Sequence, residues 1–588
     1  MTIRRKKWGV ALAVALTASA MATTTQAAGK PSAKAKQGGE VTYGILNTIS
    51  GWCFANALTG DALGATRMVY ESLVERDSKG NFIPHLAESW APSEGGKVWT
   101  FTLRSGIKFS NGEDFNAEVV KLNLDLGRGA VISGKIGNYT YTNLAFGSTG
   151  VGVNANILSV EASNPTTVKI TLERADNDFL GLMYRAGRYV MRAPGQIMTA
   201  DGKANTTAGS STACANLGIG TGPFKILSWN PNELVVERNP LYWRKDASGT
   251  QLPYLNKITV VVVKEASQRA AALRKGVLDV ASFTTGEATF VKDLKQRKSV
   301  VTEYAGNVGS WGQWLPNQDK AGSPFKNQNC RLAASHAVDW KTYNKVRFKG
   351  LGVYSGSIVG KEHIMFTTSG TPAYDVAKAK EYVAKCNTDL GAAGPFKLTL
   401  YADTSSQSLN NVKEVQKYME AAGIVMNPIF QAESAVLIAS IYSPTANKYD
   451  FAEGTPAEGP GSGYVLPFFV TGAFPKTSTN PIAKTTFGGI YNKVIAIANH
   501  SDTQVDNLLY AAQAETDPAA RKSKFQAATA YLQSTGTAIP TVHTATYTFV
   551  NKKSMLMGIG QFKNPDGKTF APTKDIKGFE WTGIWQSK

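Results

Sequence analysis

The chain's most constraining feature is a repeated alternation of short β-branched runs with segments that carry apolar residues at helical spacing. Lys257–Lys264 reads as a buried strand and passes straight into a helix predicted over Gln268–Lys275. Phe396–Tyr401 predicts another strand, Ser408–Ala422 an amphipathic helix, and Val425–Phe430 the strand that follows. Units of this β-α-β kind fold as sheets covered by helices, an α/β architecture. Further strands are predicted at Glu40–Ile45, Val98–Leu103 and Val168–Leu172. Ala65–Leu73 reads as a helix, and a helical pair, Thr503–Glu515 and Ala519–Thr535, leads into a strand over Ala538–Val550. A chain of 588 residues exceeds what one core can serve. Single cores stop growing near ~250–300 residues, so two or three domains are expected.

The N-terminus fixes the compartment. Arg4, Arg5, Lys6 and Lys7 precede an apolar, Ala-rich run from Trp8 to Ala22, and small residues follow around Thr25-Gln26-Ala27-Ala28. This is the layout of a secretory signal peptide over 1–28, cleaved near Ala27, and it predicts a periplasmic protein. The apolar run is shorter than the roughly 20 residues that a membrane span needs. Candidates further along, such as Ile258–Val263, are short and β-branched like buried strands. Gly29–Gly39 is rich in Lys, Ala, Ser and Gly and reads as a solvated leader. The formal net charge is +19, and removal of the signal's four basic residues, with no acids, leaves 19 − 4 = +15. These charges are dispersed, without a Lys/Arg run or regular aromatic interleaving, so no nucleic-acid partner is expected of an exported chain.

Chemistry-bearing motifs are sparse. There is no GxSxG elbow and no HExxH motif, and the five His are not spaced as a ligand pair. Gly129–Lys135 resembles a phosphate loop, but Ile136 stands where Ser or Thr is required. No cofactor, metal or catalytic residue is expected. The four Cys lack CxxC or Cys-His spacing for zinc, and in an oxidising compartment they allow three full pairings. Cys330 opens one helical segment and Cys386 closes another, while Cys53 and Cys214 lie in loop-like stretches. The preferred pairing is Cys330–Cys386 with Cys53–Cys214; free structural thiols are the alternative.

Several segments, in order, carry a family resemblance. They are Val69-Tyr70-Glu71-Ser72-Leu73-Val74, Pro84-His85-Leu86-Ala87-Glu88-Ser89-Trp90 and the run from Trp99 to Gly112. Gly220-Thr221-Gly222-Pro223-Phe224-Lys225, Glu237–Trp243 and Ala270–Val280 continue the series, followed more loosely by Ser323-Pro324-Phe325, Arg331–Asp339 and Tyr374–Lys380. Together they resemble the large substrate-binding proteins of peptide-type ATP-binding-cassette importers. On their own chemistry, Gly220 and Gly222 are expected to supply backbone angles closed to other residues, with Pro223 fixing the exit into a strand. The large aromatics Trp90, Trp99 and Phe101 read as core.

The resemblance implies a bilobal periplasmic-binding-protein fold (class II, cluster C type) with an extra small domain. Lobe I would be discontinuous, from 29–75, 216–300 and 536–588; the small domain would be 76–215, and lobe II 301–535. A monomer would capture a small molecule or short peptide between the lobes and hand it to the membrane permease of an importer. A non-peptide ligand such as an opine, glycoside or metal chelate is the alternative, and a secreted hydrolase the rival class. In peptide binders of this family an acidic residue after a Tyr-Asp strand receives the ligand's ammonium. Here the strand is Lys448–Ala452, which makes Glu458 the first candidate and Glu453 the second. Trp311, Trp314, Trp52, Phe54 and Tyr354 are the aromatic candidates for the cleft.

Overall fold

Burial alternates along Lys257–Val262, with Ile258 and Val260 directed into one core and Val261 toward another. A strand buried from both sides belongs inside a sheet with a layer on each face. The computed structural model describes residues 35–49, 52, 60–77, 80–127, 131–132, 135–136, 156–184, 189–197, 218–310, 312–318, 320–404, 406–431, 449–454, 469, 502–561 and 580–587. Along the chain, β1 (Glu40–Ile45) and α1 (Gly60–Val69) precede four strands, β2 (Ala87–Ser93), β3 (Val98–Leu103), β4 (Ile157–Asn164) and β5 (Thr167–Leu172), with α2 (Ala117–Gly127) between β3 and β4. Next come β6 (Phe224–Asn230), β7 (Glu233–Arg238), β8 (Lys257–Val262), α3 (Ala266–Lys275), β9 (Val280–Thr284), α4 (Ala288–Gln296) and β10 (Val301–Ser310). The remainder runs β11 (Gln313–Pro316), α5 (Gln328–Ala337), α6 (Trp340–Phe348), α7 (Val376–Asp389), β12 (Lys397–Asp403), α8 (Ser406–Ala421), β13 (Val425–Gln431) and β14 (Phe451–Gly454). It closes with α9 (Thr503–Ala514), α10 (Pro518–Ser534), β15 (Ile539–Pro540) and β16 (Thr544–Asn551).

Three sheets organise these elements. The first has the order β6-β7-β8-β1-β9-β16-β10, and within it β8, β1 and β9 run parallel. The second has the order β13-β12-β14-β11-β15, with β13, β12 and β14 parallel. The third, β2-β3-β5-β4, is antiparallel throughout and packs Trp99, Phe101 and Phe109 into its own core. Among the described residues no helix is long and apolar enough to cross a membrane.

Two corrections to the sequence reading follow. Ala538–Val550 is not one strand: β15 belongs to the second sheet and β16 to the first, with Thr541–His543 between them. Likewise β10 hydrogen-bonds to β16, so residues 301–310 belong with the first sheet and the passage to the second falls between Ser310 and Gln313. Periodicity shows that a stretch is extended, but not which sheet supplies its partners.

Cys330 and Cys386 form a disulfide with Cα atoms 4.9 Å apart, joining α5 to α7 as the pairing above expects. Closing a loop of 56 residues' separation contributes about 4 kcal/mol on chain-entropy grounds.

The segments that carry the family resemblance converge on one buried carboxylate. Glu71 Oε2 accepts from Thr221 Oγ1 at 2.8 Å and from Trp243 Nε1 at 2.9 Å. Its Oε1 accepts from the Tyr242 hydroxyl at 3.0 Å, and His85 Nε2 lies 3.3 Å away. Burial by itself would raise this carboxyl, but the imidazole and the hydrogen bonds outweigh it and hold the pKa below its ordinary value. Beside it, Gly220 and Gly222 press on the backbone of α1's end. A Cβ on Gly220 would sit 2.0 Å from Val69 O, and one on Gly222 would sit 2.5 Å from Val69 C. Neither glycine has a positive φ, so the requirement is close approach and not the special backbone angle that the sequence implied.

The segment that follows the third sheet's β5 also touches the second sheet's helices. Gln513 Nε2 on α9 donates to Asp176 Oδ2 at 2.9 Å, in buried surroundings. The Asn177 amide N–H donates to Gln513 O at 2.9 Å and its side chain to Ala514 O at 3.2 Å, capping the end of α9. Arg174 lies over the Tyr510 ring at 4.4 Å. Burial, reinforced by Asp178, pushes the Asp176 carboxyl up to about 7 against the pull of Arg174 and Arg521.

Two outcomes are expected. Glu71→Ala strands three donors and destabilises the mature protein by about 3–5 kcal/mol, read as a fall in the denaturant midpoint. Asp176 holds its proton better folded than unfolded, so its contribution is full below the ordinary Asp pKa and is lost as pH rises from about 4 to about 7. Melting curves of Asp176→Asn should therefore decline less than wild type between pH 5 and 8; parallel declines would refute the titration.

Candidate functional site

The chain passes between the two sheets twice, and the passages lie side by side. Ser310, at the end of β10, pairs with Thr544 at the start of β16. Just beyond, Gln313 at the start of β11 pairs with Pro540 at the end of β15. Between these pairs, Thr541 N–H donates to Gly312 O at 2.8 Å. Gly312 N–H donates to His543 Nδ1 at 3.0 Å. A Cβ on Gly312 would lie 2.1 Å from Val542 O, so only glycine lets the two strands run this close. Because Nδ1 accepts, the His543 proton sits on Nε2, which faces Ser355 Oγ at 2.7 Å. His543 and Val353 also exchange backbone hydrogen bonds of 2.8 and 3.0 Å. Burial pulls the imidazole down to about 4, so it is neutral at ordinary pH.

This crossing orients both sheets. At β9's carboxyl end, Thr284 lies opposite Thr546, on the edge where Ser310 and Thr544 leave the first sheet. At β14's carboxyl end, Gly454 lies opposite Gln313, the first residue of the second sheet's entering strand. The parallel strands of the two sheets thus end toward the same crossing. Open α/β sheets bind ligands at the carboxyl edges of their parallel strands. The two edges are apposed. A Cβ on Gly286, after β9, would lie 1.6 Å from Gln407 Nε2 on α8, and the Tyr547 hydroxyl donates to Leu351 O at 3.0 Å.

The aromatic candidates separate. Trp314 is 5% exposed and meets Trp340 edge-on at 4.8 Å and Phe451 at 4.9 Å, inside a core of the second sheet. Tyr354 is partly buried against that same core, and burial raises its hydroxyl. Trp52 is fully buried in the first sheet's core between Tyr70 and Trp229, and its carbonyl accepts from Gln196 Nε2 at 2.9 Å. Glu458, Trp311, Phe54, Cys53 and Cys214 lie outside the described residues. Glu453 is on β14 opposite Trp314. Of the phosphate-loop look-alike, Val131–Ile132 pairs antiparallel with Lys135–Ile136, which is a short ladder and not a strand-to-helix loop. Among the described residues no group of three His, Cys, Asp or Glu could hold a metal ion.

Sequence reasoning missed His543 and Gln313. Nothing local marks His543, whose partner Gly312 is remote in the chain. Gln313 did carry a signal, since it is a carboxamide set among Trp, Leu and Pro in a buried strand.

His543→Phe should cost about 1–3 kcal/mol by leaving Gly312 N–H without its acceptor. Because the imidazole's pKa is depressed in the fold, its contribution is present above the ordinary His value of about 6.5 and fades as pH falls toward 4. Denaturant titrations should show the variant's deficit at pH 7.5 shrinking near pH 4.5; a constant deficit would contradict the assignment.

Comparison with known proteins agrees with this architecture. The sequence pattern of the family described as "Bacterial extracellular solute-binding proteins, family 5 Middle" matches residues 81–469. The glutathione-binding protein GsiB of Shigella dysenteriae serotype 1 (strain Sd197) is 27% identical over 470 residues, covering 78% of this chain and 80% of that protein. Among solved structures, the PBP AgaA from A. tumefaciens R10, in complex with agropinic acid, superimposes with a TM-score of 0.72 at 20% identity, covering 94% of this chain and 99% of that one. The periplasmic binding protein DppA from Helicobacter pylori, in complex with the peptide STSA, gives a TM-score of 0.70 at 18% identity, covering 94% and 99%. The chain therefore belongs to family 5 of the bacterial extracellular solute-binding proteins, bilobal exported proteins that bind a small ligand and deliver it to an ATP-binding-cassette importer.

Proposed function

We propose that the ligand is a short peptide, held between the two carboxyl edges and released unchanged to the importer's permease. The observation that carries this reading is the convergence of both sheets' parallel strands on one crossing, with their edges in contact. A relative named for glutathione and a structural neighbour solved with a peptide support the ligand class. Glu458, shortly after β14, would receive the ammonium by charge-assisted hydrogen bonds, with Glu453 as second choice. Trp311, next to Gly312 in the sequence, and Phe54, two residues after Trp52, would stack on the ligand, and Trp52, Trp314 and Tyr354 are the further aromatic candidates. An opine is the second reading, favoured by the neighbour solved with agropinic acid. The remaining parts of the proposal are signal removal near Ala27 and a second disulfide, Cys53–Cys214. With the lobe bounds moved to the crossings, the domain division is 29–75, 216–310 and 544–588 for lobe I, 76–215 for the small domain and 313–540 for lobe II.

Native mass spectrometry of gently purified protein should show a ladder of peptide masses; a single non-peptide mass would overturn the ligand class. Glu458→Gln should weaken binding of a free-amine peptide about 10- to 100-fold, while any residual binding of the N-acetylated peptide stays unchanged. Equal losses for both peptides would remove Glu458 from the ammonium site.

A further inference from the structure

Gln313 is the first residue of the second sheet after the crossing, and its side chain is 0% exposed. Neither its Nε2 nor its Oε1 has a hydrogen-bond partner among the described residues. Its backbone stands between Gly454 at β14's carboxyl end and Pro540 at β15's end. The next residue, Trp314, turns to the opposite face and enters the core with Trp340 and Phe451. Leu315 returns to the Gln313 face and packs in the other core with Ile358, Val359 and Tyr449. An apolar side chain would have served at position 313, as it does at 314 and 315. Native interiors almost always pair a buried carboxamide, and one left without a partner calls for an explanation, of which a bound group is one.

We propose that Gln313 reads an amide of the solute. A carboxamide presents one acceptor and one N–H donor on a planar fork, and its complement is a group offering a donor and an acceptor in the same plane. The N–H and C=O of one extended peptide residue, which point to the same side of the chain, have that arrangement, as does a primary amide; a lone ammonium or a lone carboxylate satisfies half of it. The carboxamide is buried on the strand that opens the second sheet at the crossing, and the two sheets also touch at Gly286 against Gln407 and at Tyr547 against Leu351. Rotation about the Gly312–His543 crossing, which lies next to Gln313, is the motion that uncovers it. The inference rests on the reading that the ligand sits between the two edges. It adds the residue that distinguishes amide-bearing solutes from others.

The test compares wild type, Gln313→Leu and Gln313→Glu after incubation with an equimolar library of di- and tripeptides. Captured masses are read by native mass spectrometry, and affinities of the captured peptides by calorimetry. Gln313→Leu should bind about 10- to 100-fold more weakly, the loss of two hydrogen bonds. Its peptide-free melting temperature should equal or exceed that of wild type, because no native hydrogen bond is removed. Gln313→Glu, which lacks the donor, should also lose affinity. Wild-type peptide capture with equal capture by Gln313→Leu overturns the role of Gln313 and leaves the peptide reading standing. If wild type takes no peptide but carries a non-peptide amide that Gln313→Leu loses, the peptide reading falls and Gln313 stands. A bound solute without an amide, or no captured peptide and no co-purified solute, overturns both. A melting temperature that falls together with affinity shows a structural amide and overturns the proposal.

Discussion

The buried carboxylate of Glu71 is the interaction on which the rest of the architecture depends. It draws together the end of α1, the Gly-Thr-Gly segment and the Tyr-Trp pair, three stretches far apart in the chain. An unpaired charge buried at this point would be costly, so its partners must arrive together or the region fails. Through this node the chain entering the third sheet, with His85, and the first sheet share one anchoring point. Gly220 and Gly222 permit it by letting backbone touch backbone where any side chain would collide.

The second link, from Asp176 and Asn177 to the end of α9, gives the third sheet a hold on the helices of the second sheet as well. The third sheet therefore joins the other two, in parallel with the crossing strands. The apposed carboxyl edges lie under two kinds of restraint, one covalent at the crossing and one made of hydrogen bonds through the third sheet's segment. The first is insensitive to pH in the neutral range because His543 is neutral there. The second includes a carboxyl whose proton leaves near neutrality.

Much of this was legible in the sequence. The strands at 40–45 and 98–103 were read with the bounds the structure gives, and those at 257–264 and 396–401 to within two residues, because period-two burial leaves a strong local signature. The Cys330–Cys386 pair was legible from helix ends. What the sequence could not supply was partnership. One extended run, Ala538–Val550, serves two sheets, and only the hydrogen bonding of β15 and β16 reveals the break. Gly220 and Gly222 were read as conformational glycines, but the demand comes from Val69, a residue outside any local window. Glu71 looked like one polar residue in an apolar motif, and its donors lie 150 or more positions away. For the candidate site, the convergence of the two carboxyl edges follows from strand order and direction, which composition does not encode. The ligand contacts were legible only as residue types: Trp314 and Trp52 are aromatic, but their surroundings make them core.

The paired crossing limits the kinds of motion open to the halves. Two independent linkers would let one half swing, slide and twist about the other. Here Gly312 and Thr541–His543 are hydrogen-bonded edge to edge, and Val353 binds along the same strip. A narrow bonded ribbon bends readily across its width but resists shear and torsion, because those would break the bonds between its strands. The relative motion thus reduces to nearly a single degree of freedom. A closure about this ribbon would bring the halves together in the same register, and recognition would then begin from a prealigned encounter and not from a search over orientations.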